Sequence, residues 1–340
     1  MRDGDMPIDV TMFDSMQPEL IRFYEQAEIR LDRVLAQAST TSFEYRRTQL
    51  LLQQIDSIVR ALEGHQQGWA QKNLPSAYRQ GMVLSNEAMG FPVLPAMTLI
   101  DRLGTQTAVA RVMAETSGAL ESIAPFARKV WMDTQQTIIH ERQIARLVAE
   151  GIVDGLGSDE LGRRIRQTLQ DGATQRLKGY VPDALRADLQ RTARGEMIAI
   201  RGKDNVLRHY KLKHYGELVA RTATRQAATE GAIARTVQAG QDLMQISVHS
   251  GSCPVCLPIQ GKVFSLTGNT PGFPVLQNSQ KPPIHPNCKH VLVGVNREIM
   301  EWRGLLEPMR EMSNSAEAVP DVAAMRARLQ APATSIGVAV

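Results

Sequence analysis

Cysteine is almost missing from this chain: three in 340 residues. So small and odd a number excludes a disulfide framework and fits a protein made and assembled in a reducing cytoplasm. Aromatic side chains are also scarce, at 5%, so a core must be built from aliphatic and small residues. Ala, Leu, Arg and Gln recur instead, a composition that favours helices. No run approaches the roughly 18–20 apolar residues that cross a bilayer, and Met1-Arg-Asp-Gly-Asp-Met6 lacks the apolar segment of a secretory signal. Neither sign of charge dominates. The net of +4 is compatible with nucleic acid nearby but is no footprint of binding. Three catalytic signatures are absent as well: the Gly-x-x-x-x-Gly-Lys-Ser/Thr phosphate loop, His-Glu-x-x-His and Gly-x-Ser-x-Gly. The expectation is therefore that the chain is not an enzyme.

What is there is mostly helical. Gln17-Pro18-Glu19 opens a helix whose Phe23, Ala27, Leu31, Val34, Leu35 and Ala38 form one apolar stripe. Ser39 to Ser42 break it and can cap a second helix, in which Leu51, Ile55, Ile58, Val59 and Leu62 share a face and Gly64 is the expected terminator. The pair reads as an αα-hairpin. A third amphipathic stretch, Leu74 to Met89, ends at the proline-bearing linker Gly90 to Pro95. Helical periodicity returns from Met97 to Ile152, and Ser158 is an expected N-cap for Asp159 to Leu169.

Near residue 195 the character changes. Residues 191–225 carry nine basic residues against three acidic ones, so the rest of the chain is slightly acidic. Ile198 to Tyr210 reads as a β-hairpin around Gly202-Lys-Asp-Asn205, followed by one helix from Leu212 to Ala239 with a small-residue packing face. Beyond Gly240 three short strands are expected, in Leu243–Val248, Lys262–Leu266 and Val291–Val295. Seven of the 17 prolines fall between 254 and 286, marking an irregular module that cannot bury much core unaided. Residues 315–340, rich in Ala, Pro and Ser, read as a tail that is either mobile or ordered only by a partner.

All three cysteines lie in this module in one pattern with a histidine: Cys253-Pro-Val-Cys256 and His285-Pro-Asn-Cys288. Two pairs with two residues between their members are the spacing by which tight turns offer ligands to one tetrahedral Zn²⁺. Three thiolates and a neutral imidazole would close a structural site over the loop 257–284, with Pro254, Pro258, Pro283 and Pro286 stiffening both turns. His249 and His290 flank the motif; either can replace His285 or simply hydrogen-bond at the surface, the role favoured here. Two alternatives stand beside ligation. The cysteines can be plain buried thiols, or Cys256 or Cys288 can be a nucleophile with His285 as base, though no orienting carboxylate lies nearby.

The text around these residues resembles a known family. Arg201-Gly-Lys, His209-Tyr-Lys-Leu-Lys-His-Tyr-Gly-Glu-Leu-Val-Ala-Arg-Thr through Glu230, and Gly240-Gln-Asp-Leu-Met-Gln-Ile-Ser-Val-His249 are similar to phage minor capsid protein 2. So are Cys253-Pro-Val-Cys-Leu-Pro-Ile-Gln-Gly-Lys-Val-Phe-Ser265 and His285-Pro-Asn-Cys-Lys-His290. The Cys-x-x-Cys and His-Pro-x-Cys elements also resemble the broader Mu-type head morphogenesis domain. That pattern usually carries an acid directly after its Arg-Thr pair and another before the first Cys. Here Ala223 follows Arg221-Thr222, and His249 to Ser252 hold no acid.

The resulting expectation is a mainly α protein with a small α+β C-terminal module. N-terminal helical hairpins (1–95) and a central helical region (96–190) precede a Cys/His module (191–300) and a tail (301–340). The resemblance implies a minor capsid or head morphogenesis protein of a phage or prophage. It would reside in the virion, at the portal vertex or the capsid interior, with portal and/or major capsid protein as partners and no membrane. Non-specific contact with packaged double-stranded DNA would fall to Arg201, Lys203, Arg208, Lys211 and Lys213, with Tyr210 and Tyr215 among them. The alternative is a zinc-stabilised, nucleic-acid-contacting protein of the packaged or ejected genome; a Cys/His hydrolase is the lesser one.

Overall fold

The computed structural model describes residues 11–39, 45–123, 198–201, 206–285 and 288–330, with residues 125, 191 and 196. Among these the elements are α1 (Gln17–Ser39), α2 (Tyr45–Ala88), α3 (Leu99–Glu121), β1 (Ile198–Arg201), β2 (Leu207–Tyr210) and α4 (Leu212–Gln238). Then follow β3 (Leu243–Ile246), β4 (Val263–Ser265), β5 (Leu292–Val295), α5 (Arg297–Trp302), α6 (Leu306–Asn314) and α7 (Val322–Gln330). The mainly α architecture with a small α+β module is as expected. The helix at Asp159–Leu169, the turn at 202–205 and the end of the tail lie outside the described residues. No helix among those described is long and apolar enough to cross a membrane.

Two compact units divide the chain. One takes in Pro18–Trp69 and Val112–Val219; the other Met1–Gln17, Ala70–Arg111 and Ala220–Val340. In the first, Leu20, Leu31, Ile55, Leu62 and Leu120 are buried, and a polar chain runs through the apolar packing. Tyr24 donates from its hydroxyl to Gln66, whose amide donates to Thr116. Tyr215, at the start of α4, meets the edge of Tyr24 at 5.8 Å between ring centroids.

The helix expected to stop at Gly64 does not. α2 runs on through Gly64 and through Pro75 to Ala88, so the second and third predicted helices are one. The buried stripe explains the difference, because Leu62, Trp69, Ala70, Leu74, Ala77 and Tyr78 continue it without a break in phase. Packing of that face outweighs the local preference of Gly and the hydrogen bond lost at Pro. The true stop is at Gly90, with φ +78°. Gly90 donates to the Glu87 carbonyl and Phe91 to that of Asn86, the paired bonds of a Schellman motif.

In the second unit, α2 and α4 approach backbone to backbone. A Cβ on Gly81 would lie 1.8 Å from the Ala228 carbonyl oxygen, and one on Gly231 would lie 1.9 Å from that of Tyr78. The neighbouring α4 positions, Ala227, Ala228 and Ala232, are small and fully packed. α3 joins through Asp101. With Thr98 it forms a reciprocal N-terminal capping box, and its carboxylate also accepts from Tyr78 Oη at 3.2 Å and Gln238 Nε2 at 3.0 Å.

The module's sheet is antiparallel with order β4-β3-β5. Strand alternation gives it two apolar faces. Met244, Ile246, Phe264 and Leu292 pack with Ala232 of α4, whereas Leu243, Val263 and Val295 pack with Leu306 and Met309 of α6. Residues 306–330, expected as part of a tail, thus fold onto the far face of the sheet. β1 and β2 form the expected hairpin, with Ile198 opposite Tyr210 and Arg201 opposite Leu207.

Gly81→Ala or Gly231→Ala forces the α2 and α4 backbones apart, and each is expected to cost about 2–3 kcal/mol. The check is the shift in urea midpoint, with Gly64→Ala, where an added Cβ meets no atom within 4 Å, as the near-neutral comparison.

Candidate metal centre

Both predicted turns form. In the first, the N–H groups of Cys256 and Leu257 donate to the Cys253 carbonyl at 3.0 and 2.9 Å, and the chain turns again as Gln260 donates to the Cys256 carbonyl. In the second, Cys288 N–H donates to the His285 carbonyl at 3.1 Å. The sheet aims them at each other: β4 follows the first turn and β5 follows the second, each beside β3. Cys256 and Cys288 are buried, and Cys253 is partly exposed.

Two donor groups result, and Cys256 belongs to both. Cys253, Cys256 and His285 form one; Cys256, Cys288 and His290 form the other; within each, the ligand atoms lie within 4.8 Å of one another. His285 Nε2 stands 3.2 Å from Cys253 Sγ and 3.1 Å from Cys256 Sγ. Cys256 Sγ is 3.9 Å from Cys288 Sγ, and Cys288 Sγ is 3.7 Å from His290 Nδ1. The sulfur separation is far beyond a disulfide's roughly 2.05 Å. It is close to the roughly 3.8 Å that two sulfurs adopt on one tetrahedral Zn²⁺ with Zn–S bonds of about 2.3 Å. Three thiols and two imidazoles, with no carboxylate in either group, are a donor set suited to a borderline-soft cation such as zinc.

His290 departs from the surface role expected of it. It is 3% exposed, and its Nε2 sits 2.9 Å from Gln260 Oε1. An amide oxygen only accepts, so Nε2 carries the proton and Nδ1 turns its lone pair toward Cys288. A second hydrogen bond that fixes the tautomer in this way is the usual support of a metal-binding histidine. Gln260 is itself fully buried, with both ends of its amide bonded. Its Oε1 also accepts from Ser252 Oγ at 2.5 Å and from the His249 N–H, while its Nε2 donates to the Val319 carbonyl. His249 is half-buried, with Nε2 2.8 Å from Ser247 Oγ and its ring edge-on to His290 at 5.0 Å.

Electrostatics separates the groups. Burial, then the charges of Arg225 and Lys289, lowers the pKa of His249 to about 4. Burial, then His249, His285 and Arg225, does the same to His290. Both rings are neutral at pH 7, the ligating form. Burial works to raise the Cys253 thiol, but the N–H groups of Cys256 and Val255 aimed at its sulfur outweigh it and hold its pKa below the usual value. Burial and the neighbouring Cys288 and Cys253 sulfurs push Cys256 the other way. The neutral Cys256 thiol is no ready nucleophile.

The basic stretch is sorted by the fold rather than displayed by it. Arg208 and Lys211 are exposed. Lys213 is tied to Glu25 at 2.9 Å, and its N–H donates to Glu28 Oε2. Tyr215, expected among the DNA-facing residues, is 3% exposed and belongs to the core. Arg225, counted with the same charges, is 2% exposed. The Arg201 side chain and Lys203 lie outside the described residues. Sequence reading missed Gln260 as the buried support of His290, and Arg225 as a buried residue that donates to the Lys289 carbonyl. The helical phase of Ala228, Thr229 and Ala232, all buried one and two turns on, was the signal available for Arg225.

Replacing Gln260 by Leu removes the amide acceptor of the buried His290 Nε2 and the donor to the Val319 carbonyl. The expected cost is about 2–3 kcal/mol, with faster hydrogen exchange at residues 315–320 as the local readout.

The family model described as phage minor capsid protein 2 matches residues 166–319. The match takes in the hairpin, α4, the three-stranded sheet and the whole Cys/His centre, and it ends at the residue whose carbonyl holds Gln260. The resemblance read from the sequence is therefore supported over this stretch, which is similar to phage minor capsid protein 2. No curated protein and no solved structure matches the chain.

Proposed function

We propose, from the family model that residues 166–319 match, that this chain is a structural and assembly protein of a phage or prophage head. It is a minor component of the virion, seated at the portal or the inner capsid wall, and it performs no catalysis. The helical half supplies faces for the portal or major capsid protein, and the Cys/His module is the rigid knob that docks. The observation that carries this reading is the coincidence of the family match with a module built around a converging Cys/His cluster.

Within that module the cluster serves as a structural zinc site. Cys253, Cys256 and Cys288 bind as thiolates, and His285 or His290 binds as neutral imidazole. The ion supplies what the small sheet lacks, a cross-link at the base of the loop 257–284. Apparent zinc affinities of such sites are on the order of 10 kcal/mol or more, comparable with the entire net stability of a domain. Contact with packaged DNA is the second reading. It is favoured by the exposure of Arg208 and Lys211 beside the hairpin, and phosphate-driven binding of random duplex would weaken steeply as salt rises.

Two measurements test the proposal. Elemental analysis of purified protein is expected to give about one zinc per chain, with Cys256→Ser abolishing it and a chelator lowering the thermal midpoint of the wild type only. Mass spectrometry of particles from the genome that encodes the chain is expected to find it in few copies, together with the portal. Absence from assembled particles overturns the assembly role whatever the metal result.

A further inference from the structure

We infer that the Arg225 guanidinium is the built-in counter-charge of the Cys/His centre, balancing the net negative charge that three thiolates place on a divalent ion there. This rests on the zinc reading given above, but not on which histidine completes the shell. With either His285 or His290, one Zn²⁺ and three thiolates sum to one negative charge, and three protons leave for solvent when the metal enters.

That charge lies in a protein interior. Cys256, Cys288 and His290 are 1%, 2% and 3% exposed, where an uncompensated ion is strongly disfavoured. Arg225 is a buried cation that reaches the segment carrying two of these donors. It projects from α4, and its Nη1 donates to the Lys289 carbonyl at 2.5 Å. Lys289 is the residue between Cys288 and His290, so the guanidinium grips the backbone that carries one donor of the cluster on either side. The Lys289 side chain itself is exposed and is not the interior charge. Arg225 also pairs with Asp14, but at 3.5 Å and with a carboxylate that is 57% exposed; it lies over the Phe13 ring at 5.2 Å. A long pair with a solvated acid offsets little of the cost of burying a guanidinium. An anionic metal centre in the same interior offsets much more. Burial lowers the Arg225 pKa, and the charges of Asp14 and Cys288 act against that shift.

The rival account is that Arg225 merely staples α4 to the 288–290 segment through the Lys289 carbonyl. Zinc affinity, by competition with a chromogenic chelator, and thermal midpoints with and without one equivalent of zinc separate the two in the full chain. Arg225→Met is expected to weaken zinc binding at least tenfold while leaving the metal-free midpoint unchanged or higher, and Arg225→Lys to stay within about threefold of wild type. In a Cys253→His background, where two thiolates leave the centre neutral, the Arg225→Met effect is expected to shrink to about twofold.

Equal loss in both backgrounds, or a metal-free midpoint that falls with affinity unchanged, overturns the inference in favour of the staple. Should Arg225→Met fail to fold without metal, Arg225→Lys decides. It keeps the charge and loses the planar fork, so weakened binding there again means the staple. A wild-type chain that takes up no zinc refutes the metal reading itself, a result distinct from either of these.

Discussion

The module depends on the closeness with which two helix backbones meet. At Gly81 and Gly231 there is no room for a single carbon between α2 and α4, and this contact fixes α4 as a rod against which the rest is placed. Farther along α4, Ala232 enters the sheet's core. Ser85 Oγ of α2 takes the Gly294 N–H of β5 at 2.7 Å and lies 3.3 Å from Thr236 Oγ1 of α4. One turn and a half before Gly231, Arg225 reaches the segment that leaves the second turn. The position of the Cys/His centre is therefore set by a helix pair that contributes no ligand to it.

Much of this could be read in the sequence because it is local. The hairpin, the three strands and α4 follow from periodicity, and both metal turns follow from Cys-x-x-Cys and His-x-x-Cys. The length of α2 could not be read that way, because Gly64 and Pro75 are local stop signals overridden by a buried stripe that runs past them. The fold of residues 306–330 was hidden for a related reason. Their short helices have little intrinsic stability and exist because Leu306, Met309 and Leu329 cover one face of the sheet. Long-range satisfaction was likewise out of reach. Nothing in the neighbourhood of Gln260 in the chain announces that its amide will connect His290 to Val319.

The centre shows how position assigns different work to identical groups. Cys253, near solvent and facing two N–H groups, is biased toward thiolate; Cys256, buried between sulfurs, is biased against it. His249 and His290 differ less in pKa than in what holds them, a serine hydroxyl for one and a buried amide for the other. Only the amide is an obligate acceptor, so only His290 has its tautomer fixed by the bond it makes. The two histidines that flank the motif are thereby unequal as donors. His290 joins Cys256 and Cys288 in a candidate ligand group, whereas His249 joins neither group.

The same sorting applies to charge. A run of nine basic residues invites a single explanation, an electropositive face for DNA, yet the fold distributes its members among separate tasks. Lys213 is held by Glu25, Arg225 is buried and donates to the Lys289 carbonyl, and Arg208 and Lys211 face solvent. Counter-ion release scales with the cations that actually reach phosphate, so a charge total overstates what such a segment can contribute to DNA binding. Burying a guanidinium has a cost that a surface role would not require. In α4 the guanidinium shares the interior with the thiolate cluster, the anion that metal binding would create.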